Sequence, residues 1–159
     1  MDEPAIELRP VEATDLDALF DQMRDPESVR MAAFTAEDPD DRRAFDAHLA
    51  RIRSAPDITM RAITRDGRLV GSVGSFVQDG QREVTYWIDR AVWGQRIASR
   101  ALARLLAVVP DRPVYARAAS DNAASLRVLA KAGFVVVGTE TSYAPARRAE
   151  IEETILRLD

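Results

Sequence analysis

The stretch from Glu83 to Ser99 limits the fold more than any other part of the chain. Glu83-Val84-Thr85-Tyr86-Trp87-Ile88 combines β-branched and aromatic residues and reads as a strand. A short loop through Trp93 and Gly94 leads into a helix. Its apolar stripe is Ala98, Ala101, Leu102, Leu105, Leu106 and Val109, with Arg96, Arg100 and Arg104 on another face. Pro113 to Ala118 reads as the next strand. A strand, a helix and a strand in this order form a crossover, which makes the two strands parallel. A helix that starts straight after a strand also presents unpaired backbone N–H groups and the positive end of its dipole, which together attract phosphate.

The flanking sequence adds antiparallel pairing. Ala5 to Pro10 alternates like a strand, and Thr14 or Asp15 is placed to cap a helix through Leu16, Leu19, Phe20 and Met23. Arg24 to Asp41 carries two prolines and many charges, which predicts a loop with a short turn of helix. A helix from about Asp40 to Ser54 carries Phe45, Leu49 and Ile52 on one side. Ile58 to Thr64 and Leu69 to Val77 read as strands joined at Asp66-Gly67, and Asp79-Gly80 marks the next hairpin before Glu83. Later, a helix from about Asn122 to Ala132 ends at Gly133, and Phe134 to Gly138 and Glu150 to Leu158 are strands with a turn at Ser142 to Arg148 between them. The expected fold is mixed α+β: a mostly antiparallel sheet, one parallel unit, and helices on both faces.

Composition narrows the chemistry. A chain of 159 residues with 47% hydrophobic and 30% charged residues fits one soluble globular domain spanning 1–159. A net charge of −4 gives no electrostatic support for nucleic acid or an anionic membrane as partner. Cysteine is absent, which removes disulfides, thiolate nucleophiles and thiolate metal sites. Met1-Asp2-Glu3-Pro4 has no apolar run, so no signal peptide is expected there. The most apolar segment, Ala101 to Val109, is too short to span a bilayer and contains Arg104. The expected location is cytoplasmic.

Three pieces carry a resemblance: Glu83 to Asp89, Trp93-Gly94-Gln95-Arg96-Ile97-Ala98, and Asn122-Ala123-Ala124-Ser125 followed by Gly133-Phe134. In this order the chain resembles the GNAT superfamily of N-acetyltransferases, especially the ribosomal-protein-alanine N-acetyltransferase branch. The resemblance implies a GNAT-like sheet and acetyl-coenzyme A as cosubstrate. It also implies direct acetyl transfer to a primary amine, of a protein N-terminus or a small molecule, with no covalent enzyme intermediate and no metal. It assigns cofactor contacts to Trp87, Ile88, Trp93, Gly94, Gln95, Arg96, Ile97, Ala98, Ser99, Asn122 and Ser125. The loop departs twice from the family's R/Q-x-x-G-x-G/A signature. Trp93 stands in the Arg/Gln position, and Arg96 replaces the central glycine, where a Cβ either crowds a diphosphate or carries a guanidinium toward it. The alternative for Arg96 and Arg100 is a solvated helix face.

Acetyl transfer needs a base for the amine, a donor for the thioester oxygen, and a donor for the leaving thiolate. On the resemblance, Glu83 is the base, against the commoner fate of an exposed strand carboxylate. The oxyanion donor is a backbone N–H at or beside Ile88. Relatives often carry a tyrosine acid where this chain has Leu129, so Ser125 is assigned next to sulfur, with a helix-capping role as the alternative. Asn122 is assigned to the pantetheine arm or, alternatively, to the cap, and Tyr143 is a reserve acid. His48 reads as a partly buried structural residue, and Trp87 and Trp93 as core first and cofactor wall second. Glu37, Asp38, Asp40 and Asp41 match no metal loop and read as a solvated helix start. The acceptor is expected between Met31–Pro39 and Ser142–Arg148, in a monomer or homodimer. Two rival functions remain: a non-catalytic acyl-coenzyme A-binding module, and a partner-binding domain without cofactor.

Overall fold

The computed structural model describes residues 5–159; the acidic start Met1 to Pro4 lies outside the described residues. Seven strands form one sheet in the order β1-β2-β3-β4-β5-β7-β6. They are β1 (Ile6–Pro10), β2 (Thr59–Arg65), β3 (Arg68–Gln78), β4 (Gln81–Ile88), β5 (Val114–Ala119), β6 (Val135–Ala144) and β7 (Ala149–Leu158). The helices are α1 (Leu16–Met23), α2 (Pro26–Ala32), α3 (Arg42–Ser54), α4 (Ile97–Val108) and α5 (Ala123–Lys131). Neighbouring strands are antiparallel except β4 and β5, which the α4 crossover makes parallel. The β2–β3 and β3–β4 turns place Asp66-Gly67 and Asp79-Gly80 at positive φ throughout, the backbone twist a two-residue hairpin needs.

Each sheet face has its own core. On one side the α4 residues Ile97, Ala101, Leu102 and Leu105 and the α5 residue Leu129 bury against Ile63, Val73, Val84, Val114 and Leu156. On the other side α1 and α3 cover Ala62, with Val11, Leu16, Leu19 and Phe45 between. Phe20 and Phe45 meet edge to face at 5.2 Å, fixing α1 against α3.

Some local expectations change. The segment after Arg24 holds a two-turn helix, α2, started by Asp25, whose carboxylate accepts from the Ser28 N–H at 3.0 Å with Pro26 next in line. Asp15 does not cap α1. It is buried under a bidentate Arg9 guanidinium, at 2.7 and 2.8 Å, which holds its carboxyl below the usual carboxylate range. His48 is exposed, not partly buried. The strand expected to stop at Gly138 continues to Ala144, because β7 pairs with it from Val135 to Ala144, and it takes in Ser142, Tyr143 and Ala144 of the expected turn.

Candidate active site

The site starts from how β4 is paired. On one side β3 lies against it along its whole length, from Gln78 opposite Gln81 to Gly71 opposite Ile88. On the other side β5 pairs only with Arg82 and Glu83. Past Glu83 the two strands part. The Asp89 N–H donates to the Val70 carbonyl at 2.8 Å, and Gly71 stands opposite Ile88. This fixes the alternation: Val84, Tyr86 and Ile88 turn their own N–H and C=O groups away from β3, toward the open side. The Trp93 indole N–H reaches the Ile88 carbonyl at 2.9 Å. Gly71 is what lets β3 follow β4 here, since a Cβ on it would lie 2.1 Å from the Trp87 carbonyl oxygen.

The loop into α4 stands at the open end of that gap. Trp93, Gly94, Gln95 and Arg96 are exposed, while Ile97 plugs into the core and anchors the helix. Gly94 sits at φ 78°. Arg96 takes the N-cap position at φ 62°, ψ 17°, with no side-chain cap on the helix. It is therefore outside the helix, not on the helical face with Arg104, and a left-handed backbone at a non-glycine residue costs about 1–2 kcal/mol. The Gln95 side chain meets Arg65. Ala98 and Ser99 open the first turn and are half-buried. Trp93 is 42% exposed, so it is not a core residue; Trp87 is half-buried, its indole N–H donating to the Gln22 carbonyl at 3.0 Å.

Glu83 stands where the pairing ends, the last β4 residue in register with β5. It is 5% exposed. Its Oε1 lies 3.6 Å from Arg117 Nε, too long for a hydrogen bond, while the Arg117 Nη1 donates to Glu140 at 2.9 Å and Glu153 at 3.2 Å. Burial raises the Glu83 carboxyl above the usual glutamate range. The Arg117 charge pulls it back, and Glu153 and Asp79 push it further up. Sequence reasoning singled out Glu83 but not Arg117, whose proximity depends on the register of the parallel pair.

On the α5 side of the gap, the Tyr86 hydroxyl is 2.6 Å from Ser125 Oγ. Burial raises the Tyr86 phenol, and the Ser125 contact lowers it in part. Asn122 caps α5: its Oδ1 accepts from the Ser125 N–H at 3.2 Å, and its Nδ2 donates to the Met31 carbonyl at 3.4 Å. Leu129 is buried in the core, and Tyr143 is 56% exposed on β6. Tyr86 was not a candidate from the sequence; its β4 neighbours Val84 and Ile88 mark it as one of an inward-facing row.

The expected acceptor loops do meet. The Ala146 N–H donates to the Ala33 carbonyl at 3.1 Å, and Arg147 Nε donates to the Arg30 carbonyl at 2.7 Å while its guanidinium grips Asp121. Ala33 is fully buried at φ 64°, ψ −55°, in a tight three-residue turn closed by the Phe34 N–H on the Ala32 carbonyl. A cleft of about 600 Å³ lies beside this seam, lined by Asp25, Val29, Arg30, Pro39, Asp40 and Ala146. Among the described residues no three acidic or histidine side chains converge as a metal site. No helix among them is long and apolar enough to cross a membrane.

The family model described as the acetyltransferase (GNAT) domain matches residues 5–135. The chain belongs to the GNAT acetyltransferase family. Among solved structures it is similar to spermidine N-acetyltransferase from Vibrio cholerae in complex with CoA and spermine, at TM-score 0.83 and 14% identity, covering 96% of this chain and 94% of that one. It is also similar to ribosomal-protein-alanine N-acetyltransferase from Brucella melitensis, at TM-score 0.79 and 20% identity over 96% and 98%. Mycobacterium smegmatis RimJ in complex with CoA-disulfide gives TM-score 0.79 and 22% identity over 96% and 81%. Among curated proteins no sequence matches significantly. At these identities the structural likeness establishes the GNAT fold, and the expected mixed sheet with one parallel pair is the one found.

Proposed function

We propose that this GNAT protein, as one domain over residues 1–159 and as a monomer or homodimer, moves an acetyl group from acetyl-coenzyme A directly to a primary amine. The observation that carries this reading is the parting of β4 from β5 just past a buried glutamate. The residues present suit coenzyme A. The uncapped N-terminus of α4 offers backbone N–H groups to a diphosphate, and the outward-turned edge of β4 offers donors and acceptors to an amide-bearing arm. Gly94 to Ser99 would take the phosphates, with Arg96 adding charge. Trp87, Ile88, Trp93, Asn122 and Ser125 would flank the arm. Bound acetyl-coenzyme A supplies an acyl thioester whose carbonyl carbon accepts the amine's lone pair.

The chain's own groups then have defined work. Glu83 takes the proton the amine must lose, and its raised pKa brings a carboxylate closer to the range where a base works best. The Ile88 N–H turns to the open side, which supports its role as donor to a developing oxyanion. Ser125 stands as donor to the leaving sulfur. The amine enters between the segment Met31–Pro39 and the turn Ser142–Arg148, where charges of both signs meet, which suits a protein N-terminus or a small amine alike. The non-catalytic alternative draws on two observations: Arg96 occupies a strained position, and the Trp93 indole takes the Ile88 carbonyl.

Calorimetric titration with acetyl-coenzyme A, paired with thiol release over a panel of peptides and small amines, tests the reading. Binding together with release on at least one amine, abolished by Glu83→Gln, is expected. Tight binding with no release on any amine would establish the non-catalytic module. No binding and no rise in melting temperature with any coenzyme A derivative would leave a domain without this cofactor.

A further inference from the structure

The mechanism above uses Ser125 but gives no work to the phenol beside it. The Tyr86 hydroxyl and Ser125 Oγ are 2.6 Å apart, at the short end for two hydroxyls, so one proton lies between them. Tyr86 comes from β4 and Ser125 from the first turn of α5, so the contact bridges the gap where β4 and β5 have parted. The two ends of this bridge differ. The Tyr86 ring packs against the apolar core under α4 and α5, while Ser125 is held from the helix side, its N–H on Asn122.

Resting on the acetyltransferase reading, we propose that Tyr86 is a positioning residue that turns Ser125 into a hydrogen-bond donor toward the departing sulfur. The argument is about which oxygen gives its proton. The Tyr86 hydroxyl has two oxygens in reach, Ser125 Oγ at 2.6 Å and the Ser125 carbonyl at 3.4 Å. A phenol is a stronger acid than an aliphatic alcohol and the better donor, and the shorter contact takes its proton, so Tyr86 donates and Ser125 Oγ accepts. Ser125 then keeps its own proton for a second partner. The opposite orientation would commit that proton to Tyr86 and present only lone pairs to a thiolate. Burial favours the neutral, protonated phenol, which keeps the donor in place at working pH. When the amine nitrogen bonds to the acyl carbon and the C–S bond breaks, sulfur keeps the electron pair. The Ser125 O–H hydrogen-bonds that thiolate, and water supplies the proton that later neutralises it. Neither hydroxyl is consumed.

The test reads the thiol of bound coenzyme A directly, by the ultraviolet absorbance of its thiolate across pH, with no acceptor present. A donor that favours the charged sulfur lowers the pH at which the thiolate appears. In the wild type that midpoint should lie below the midpoint of free coenzyme A. Tyr86→Phe and Ser125→Ala should each lower the thiolate-to-thiol ratio at a given pH about three- to tenfold, the range one hydrogen bond supplies. The double variant should lose no more than Ser125→Ala alone, because both act through one contact. For Tyr86→Phe, coenzyme A affinity below the midpoint should stay unchanged, and turnover should fall in kcat and not in KM. If Tyr86→Phe does not fold, 3-fluorotyrosine at residue 86 keeps the ring and strengthens the donor, so the thiolate fraction should rise. A wild type that binds no coenzyme A overturns the acetyltransferase reading itself. Binding with an unshifted thiol, or with Tyr86 changes that leave the thiol where it was, overturns only the role of Tyr86. Additive losses in the double variant also overturn that role, since Tyr86 would then not act through Ser125.

Discussion

Along its β3 side, β4 is paired from Gln81 to Ile88; along its β5 side it is paired at Arg82 and Glu83 alone. Past Glu83 the strand thus has one satisfied edge, where Thr85 and Trp87 face β3, and one open edge, where Val84, Tyr86 and Ile88 face the gap. On the satisfied edge the demand is closeness, met by Gly71, which has no Cβ to strike the Trp87 carbonyl. On the open edge the demand is availability: N–H and C=O groups that a neighbouring strand would otherwise take are left for something else. On the proposed function, a binding site is made here by withholding a strand pairing, and Glu83 sits where the withholding begins.

The largest effect should come from the end of the open edge. Glu83→Gln keeps the shape of the side chain and removes the base, so turnover should fall on the order of 10²–10⁴-fold while acetyl-coenzyme A affinity stays within about twofold. The sign of the pH dependence follows from the raised carboxyl. Wild-type activity should climb with pH through a midpoint above the ordinary glutamate value, since only the carboxylate accepts a proton. The same raised value makes the fold gain stability as pH falls toward the ordinary glutamate range and lose it as pH rises through the folded midpoint. An unchanged rate at every pH would remove Glu83 from the mechanism and with it the meaning given to the open edge.

The satisfied edge should answer next. Gly71→Ala drives a methyl into the Trp87 carbonyl, and β3, paired on both sides at this point, cannot easily yield. A loss of about 2–3 kcal/mol in urea unfolding is expected. Coenzyme A affinity should also fall, because β4 must shift toward the gap. A neutral substitution would mean that the edge is compliant and the contrast between the two sides weak. Arg117→Met sharpens the same contrast from β5. It removes the charge that holds the Glu83 carboxyl down, leaves Glu153 and Asp79 to push it up, and should move the acid limb of the activity profile to higher pH. A limb that does not move would show that Arg117 serves only the two outer carboxylates.

These contrasts divide what the sequence carries from what it does not. The hairpins at Asp66-Gly67 and Asp79-Gly80 and the apolar stripe of α4 are local, each written within a few residues, and each stands as expected; the cap at Asn122, equally local, is the alternative reading of that residue. The strand–helix–strand order from Glu83 to Ala118 gave the crossover, and the resemblance singled out Glu83. The parting of β4 from β5 is not local: it is set by which residues β5 finds opposite it, and periodicity is silent on that. Arg117 beside Glu83 and Tyr86 beside Ser125 follow from the same register. His48 and Trp93 went wrong for one reason. A helix or loop with some apolar neighbours does not say how far its face reaches past the core, and both residues lie beyond it. The length of β6 was hidden because Thr139 to Tyr143 is polar on an edge strand with exposed residues on both faces, so the usual alternation is missing.

The smallest effect, and the one with two opposed parts, belongs to Arg96. Gly71 is a glycine where a side chain has no room; Arg96 is a side chain where the backbone suits a glycine. Arg96→Gly relieves the left-handed backbone, worth about 1–2 kcal/mol, and gives back about 0.5–1 kcal/mol through the greater freedom of the unfolded chain. Net stability should therefore rise by roughly 0.5–1 kcal/mol in urea unfolding. The exposed guanidinium also adds positive charge beside the uncapped amides of α4, so coenzyme A affinity should fall about three- to tenfold at low salt, with the difference shrinking as salt is raised. A more stable variant that binds coenzyme A more tightly would mean that the side chain obstructs the open edge and adds nothing to it. The Trp93 indole on Ile88 would then be the second of two obstructions at the same corner.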